Sequence, residues 1–163
     1  MKTLAVIPAR YGSTRLPGKP LLSAGGMPLV ARVFRQVARC RKVDRIIVAT
    51  DDASIEKVMQ NEGAEVMMTP SNLPSGGDRA AWVAARIPEA EVILNVQVDD
   101  PLVGPDMIDP LIESLESDPE CSLALLAKEI EDQSEITDSN IVKIVFDGNM
   151  RALYFSRSAI PYP

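Results

Sequence analysis

At 163 residues, with 46% hydrophobic and 25% charged side chains, the chain has the length for one domain with a sizeable core, and its composition excludes a disordered, collagen-like or coiled-coil protein. It contains no histidine, which removes a Ser-His-Asp or Cys-His nucleophile, a His-ligated zinc and a histidine general base. The net charge is −6, yet residues 1–43 hold nine Lys and Arg and no Asp or Glu, an asymmetry that points to an anionic ligand for this segment.

In chain order, 3–8 (TLAVIP) reads as a buried strand and 9–20 as a loop punctuated by Gly12, Pro17, Gly18 and Pro20. Ala24, Gly25 and Gly26 make a turn, and Pro28 suits the first turn of a helix reaching about Cys40. Arg45–Thr50 is a second strand. Asp51 or Asp52 caps a helix over 53–62, which Gly63 stops. Glu65–Met68 is a third strand, 73–77 a loop, 78–87 a helix and 91–96 a fourth strand. Pro105 opens a helix to about Ser117, and 121–127 (CSLALLA) is expected to be a fifth strand. After a polar stretch, 142–146 and 152–155 flank Asp147-Gly148-Asn149 as a hairpin. Alternating strands and helices predict an α/β fold: a mostly parallel sheet with helices on both faces, made mixed by the antiparallel hairpin. Ligands of such sheets bind beyond the carboxyl ends of the strands, where the loops 9–20, 69–79 and 97–104 are expected to converge.

No apolar run is long enough for a bilayer, and the N-terminus lacks the apolar length and cleavage site of a signal peptide, so a cytoplasmic protein without a membrane partner is expected. Cys40 and Cys121 stand far apart, which suggests two thiols in a reducing compartment. Nucleic acid is disfavoured as the anion by the overall acidity and by an aromatic content of 4%. Arg32, Arg35 and Arg39 recur at helical spacing and read first as a solvated helix face.

The loop after the first strand carries Arg10, Arg15 and Lys19 and no anion. Arginines can fork around phosphate oxygens, lysine supplies a point charge, and glycines let backbone N–H groups approach. It is not a Walker A loop, because five residues separate Gly12 from Gly18 and Pro20 stands where a Ser or Thr is needed. In Asn95-Val96-Gln97-Val98-Asp99-Asp100-Pro101, a carboxylate at a strand end can hold Mg²⁺ together with substrate phosphates. Adjacent residues point apart, so one of the two coordinates, and Asp99 is the choice; a capping or turn aspartate is the alternative. Gln97 can hydrogen-bond a sugar or an acid. Pro74-Ser75-Gly76-Gly77-Asp78-Arg79 can wrap a nucleobase or ribose, or can simply be a loop with a helix cap at Asp78.

Taken together, VIPARYGSTRLPGKPL (6–21), ATDD (49–52), PSGGDR (74–79), NVQVDDP (95–101) and ALYFSRSAIPYP (152–163) resemble the 3-deoxy-manno-octulosonate cytidylyltransferase (CMP-Kdo synthetase) family. The resemblance implies a Rossmann-like nucleotidyltransferase sheet over 1–163 as a single domain lacking the family's C-terminal part. It implies transfer of CMP from CTP to 3-deoxy-D-manno-octulosonate (Kdo) with release of pyrophosphate, for lipopolysaccharide synthesis, with Mg²⁺ as cofactor. CTP and Kdo would be the small-molecule partners, and the chain would form a homodimer or otherwise self-associate. On the same basis Arg10, Ser13, Arg15 and Lys19 would hold the triphosphate, and Ser75, Gly76 and Arg79 would lie near the cytidine. Gln97 and Arg157 would serve the sugar acid, Asp99 would bind the metal, and Arg10, Lys19 and Asp99 would carry catalysis. Val98 stands where the family has glycine, and its branched side chain is expected to press on the nucleotide or the metal. Acylneuraminate cytidylyltransferase, or a nucleotide-binding or interaction module without turnover, are the alternatives.

Overall fold

The computed structural model describes residues 2–12 and 16–161. The chain divides into two compact units, Met1–Ala124 and Leu125–Pro163. In the first, the element order is β1 (Thr3–Ala9), a hairpin of β2 (Ser23–Ala24) and β3 (Met27–Pro28), α1 (Leu29–Val37), β4 (Arg45–Thr50), α2 (Ala53–Asn61), β5 (Glu65–Met68), α3 (Gly76–Ala84), β6 (Val92–Asn95) and α4 (Pro105–Ser117).

The main sheet is parallel, in the order β5-β4-β1-β6. Successive side chains of a strand point to opposite faces. On β1, Ala5, Ile7 and Ala9 meet Val30, Val33 and Val37 of α1, Ile55 and Met59 of α2, and Ile108 and Ile112 of α4. Leu4 and Val6 face the other way, with Ile47 and Ala49, onto Ala80 and Val83 of α3. Helices therefore cover both faces, and all seven residues of β1 are buried. The topology explains the division. The chain builds outward from β1 to β4 to β5, then returns across the sheet to β6 on the far side of β1. A crossover of constant right hand that reverses direction lands on the opposite face, which is where α3 lies. The reversal leaves a crevice at the carboxyl end of β1, between β1 and β6.

Local chemistry sets several boundaries. Gly25 and Gly26 take positive φ (59° and 79°), as a tight two-residue hairpin turn requires. A Cβ on Gly25 would stand 2.8 Å from the Arg32 guanidinium, which donates to the Ala24 carbonyl at 2.5 Å. Asp52, not Asp51, caps α2: its Oδ1 accepts from the Ser54 and Ile55 N–H groups at 2.8 and 3.2 Å. Helix α3 starts at Gly76 rather than Asp78, because Ser75 Oγ accepts the Asp78 N–H at 3.1 Å and becomes the cap.

The expected fifth strand over 121–127 is irregular chain, with Leu123 76% exposed. A strand needs a ladder partner as well as an apolar composition, and no strand among the described residues pairs with this run. The second unit holds the short helix α5 (Ser134–Thr137) and the strands β7 (Lys143–Phe146) and β8 (Ala152–Ser156). The strands pair antiparallel as predicted, but as their own two-stranded sheet. Asp147 closes the turn by accepting the Asn149 and Arg151 N–H groups at 2.8 and 2.9 Å. The buried Lys143 ammonium is satisfied by three carbonyls, of Asp138, Ile141 and Arg157, at 2.7, 2.8 and 2.5 Å.

Candidate functional site

A cleft of about 570 Å³ opens at the switch point of the sheet, lined from the first loop by Arg10, Leu16, Lys19 and Pro20, from α3 by Gly76 and Arg79, and from the segment after β6 by Gln97, Val98 and Asp99. The three loops expected to converge do so here. Three cationic side chains, Arg10, Lys19 and the buried Arg79, share with one carboxylate a hollow set on a buried scaffold, which suits a ligand bearing several negative charges.

The first loop is braced by its own backbone. The Gly18 N–H donates to the Tyr11 carbonyl at 2.9 Å, and Gly18 takes φ 71°, a conformation that favours glycine. This turns the chain into a single 3-10 turn, Lys19–Leu21, with Pro20 buried. Lys19 then reaches across the cleft, its Nζ 2.8 Å from Asp99 Oδ2. Its side chain is 31% exposed and that of Asp99 61%, so both remain accessible to a ligand. Ser13 and Arg15 lie outside the described residues.

On the α3 side the backbone comes very close. A Cβ on Gly76 would lie 3.0 Å from Gln97 Oε1 and 3.2 Å from Pro8 Cγ, so any larger residue would displace the wall of the cleft. Gln97 is oriented by Asn95, whose Oδ1 accepts from its Nε2 at 2.9 Å. Ser75 is engaged in capping; its hydroxyl also donates to Asp78 Oδ2 at 2.5 Å. Arg79 borders the cleft but is 1% exposed, and it bonds Thr69 Oγ1 and, at 3.1 Å, Asp51 Oδ2. Thr69 in turn holds the Thr50 carbonyl through its N–H and its hydroxyl, at 2.8 and 3.0 Å. The guanidinium thus ties the ends of β4 and β5 to the first turn of α3. Val98 packs into the core at 5% exposure while bordering the cleft. Arg157 belongs to the second unit, where its guanidinium donates to the Ser139 and Asn140 carbonyls at 2.9 and 3.2 Å.

Sequence reasoning missed the Asp51–Thr69–Arg79 network. An arginine within a turn of helix start and an acid just past a strand were its signals, but the pairing depends on the fold. The cationic N-terminal segment also reads differently in space. Arg35 pairs with Glu62 at 2.7 Å, Arg41 with Asp109 at 3.3 Å and Lys42 with Glu116 at 2.7 Å. Arg32 serves the hairpin, and Arg39 donates to Gln36 at 2.7 Å. Part of the sequence asymmetry is therefore cancelled by acids from later in the chain, and of the described cations in residues 1–43 those that line the cleft are Arg10 and Lys19. Among the described residues no group of three or more Cys, Asp and Glu converges. No described helix is long and apolar enough to cross a membrane.

The cytidylyltransferase family model matches residues 4–163. The chain belongs to the cytidylyltransferase family. Among the relatives of this chain is the 3-deoxy-manno-octulosonate cytidylyltransferase of Chromohalobacter salexigens, 47% identical over 161 residues that make up 98% of this chain and 62% of that protein. The enzyme of the same name from Syntrophobacter fumaroxidans is 44% identical over 165 residues, covering 99% of this chain and 66% of its own. The chain thus spans just under two thirds of the length of these curated relatives. A solved structure of CMP:2-keto-3-deoxy-manno-octonic acid synthetase complexed with CTP matches all of this chain and 67% of its own, with a TM-score of 0.90 and 36% identity. The fold is accordingly that of a nucleotidyltransferase.

Proposed function

We propose that the chain serves the transfer of CMP from CTP to Kdo, giving CMP-Kdo and pyrophosphate, a reaction that supplies lipopolysaccharide synthesis. The observation that carries this reading is the cleft itself: Arg10, Lys19 and Asp99 meet at the switch point of a sheet whose relatives bear that name. The anomeric hydroxyl oxygen of Kdo attacks the α-phosphorus of CTP, and the bond from that phosphorus to the pyrophosphate oxygen breaks. Such a transfer needs positioning and charge neutralisation and little covalent chemistry from the protein, so the absence of histidine is no obstacle. In this reading Arg10 and Lys19 bind the triphosphate and stabilise charge on the departing pyrophosphate, with Ser13 and Arg15 of the same loop beside them. Gly76 allows the cytidine to approach the backbone of α3, Ser75 holds that helix start, and Arg79 fixes the wall from behind. Gln97 serves the sugar acid.

Mg²⁺ fits Asp99: the carboxylate is a hard oxygen donor, it is accessible, and a cation already rests 2.8 Å from it. When bound, the ion would neutralise phosphate charge. The same reading places the protein in the cytoplasm, as a homodimer or other self-associating form, with residues 1–163 as a nucleotidyltransferase domain.

The test is pyrophosphate release by the purified chain from CTP, Kdo and Mg²⁺. UTP, GTP and ATP are compared with CTP, and N-acetylneuraminate with Kdo. Release confined to CTP with Kdo is expected. Equal or better use of N-acetylneuraminate would overturn the sugar assignment, and CTP binding without release would make the chain a binding module.

A further inference from the structure

The Lys19–Asp99 ion pair occupies the very carboxylate assigned to the metal. We infer that Lys19 is a resident counter-ion that gates Asp99: a divalent cation gains the carboxylate when an incoming polyphosphate draws the ammonium away. The inference rests on the reading above and adds a coupling that the family assignment does not contain.

Three observations carry it. First, Lys19 Nζ lies 2.8 Å from Asp99 Oδ2, so the ammonium stands where a cation on that oxygen would stand. An ammonium and a divalent ion cannot share the place without strong repulsion. Second, the backbone under Lys19 is fixed while its charge is not. The Lys19 N–H donates to Leu16 at 3.2 Å, the Leu22 N–H donates to Lys19 at 3.1 Å, and Gly18 sets the turn. The side chain beyond is a four-carbon stem ending in a hydrated point charge, which swings to a new partner without moving the loop; arginine, held by two parallel bonds, would not release so readily. Third, both side chains are open enough for exchange, at 31% and 61% exposure, and a pair so placed is weakly held. Arg10 lines the same cleft, so a polyphosphate finds a first anchor before it competes for Lys19.

The consequence is positive linkage. Nucleotide and metal each favour the arrangement in which Lys19 has left Asp99, so each strengthens the other by the same factor. Without nucleotide, Asp99 is shielded from adventitious cations.

The experiment uses Mn²⁺ as the probe, followed by the loss of free-ion EPR signal on titration with the nucleotide-free chain. Wild type is expected to bind Mn²⁺ weakly, and Lys19→Met and Lys19→Gln about tenfold more tightly. Adding Asp99→Asn to Lys19→Met should remove the gain. Arg10→Met deletes an equal charge from the same cleft without touching the Lys19–Asp99 pair and should change the affinity by about twofold or less. Adding CTP should tighten Mn²⁺ binding more for wild type than for Lys19→Met. Equal Mn²⁺ affinity of wild type and both Lys19 variants overturns the inference. So does a gain that survives Asp99→Asn, or an equal gain from Arg10→Met. None of these readouts needs turnover. Failure to release pyrophosphate with the Mn²⁺ pattern intact would sink the proposed reaction and leave the gate standing.

Discussion

Strand β1, Thr-Leu-Ala-Val-Ile-Pro-Ala, runs through the first unit with every residue buried, while β8 of the second, Ala-Leu-Tyr-Phe-Ser, leaves Leu153 64% and Tyr154 61% exposed. Both are short apolar runs that sequence patterning marks as strands. β1 has a strand on each side and a helical layer on each face; β8 has one ladder partner in its own sheet. Apolar composition nominates a strand, but the layers around it decide whether its side chains contribute to stability. The cleft sits at the end of the strand with complete cover, where the backbone that carries the charged groups is anchored in the core while their side chains stay open.

The largest effect should come from breaking the buried tie behind the cleft. Arg79→Met leaves Asp51 without its cation, and urea denaturation should show a loss of about 3–5 kcal/mol; a loss under about 1 kcal/mol would mean that the network is not structural. Next, Lys19→Ala should lower turnover by about 10²–10³-fold with unchanged circular dichroism, as loss of a donor to the transition state does. Turnover near wild type would remove Lys19 from the reaction.

The strand comparison is sharpened by a matched pair of smaller changes. Ile7→Val, at 0% exposure, should cost about 1 kcal/mol, whereas Leu153→Val should stay within about 0.5 kcal/mol by the same denaturation assay. Comparable losses would show that β8 is covered in solution.

A pH series adds a finer contrast at Asp109. Burial alone would raise this carboxyl, but the Lys42 and Arg41 N–H groups and the Arg41 guanidinium outweigh it and hold the group below its usual 3.8. Its contribution is therefore complete above that value and is lost as the pH falls through the lower folded one. The stability difference between wild type and Asp109→Asn should be greatest near neutrality and shrink in acid; a difference that grows in acid would contradict the assignment. Smallest of all in energy, burial pushes the Cys40 thiol up to about 11, so a thiol reagent should modify Cys121, which is less buried, and spare Cys40 in the native chain; equal labelling would show that the core around Cys40 opens.

Much of this was legible from the residues. Periodicity and glycine placement mark β1, β4, β5 and β6, and the cluster Arg10, Lys19, Asp99 stands out because cations and a carboxylate follow strand ends, where ligands of parallel sheets bind. The Gly25-Gly26 turn was readable because positive φ is a local demand that glycine meets. The run 121–127 misled because a strand is a property of a pair, and a single segment cannot declare its partner. The cap at Ser75 was hidden behind Asp78 because both residues can cap, and the loop geometry chooses between them.

The sequence by itself determined the alternation of strands and helices, the chemistry of the first loop and the lack of histidine, because propensity, turn preference and side-chain charge are local properties. Tertiary structure alone decided that Lys19 meets Asp99, that Arg79 is buried against Asp51, and that Arg35, Arg41 and Lys42 are spent on acids from distant segments. Those pairings join residues far apart in the chain, and their strength depends on distance and solvent cover, which exist once the strands are ordered and the helices have packed on both faces.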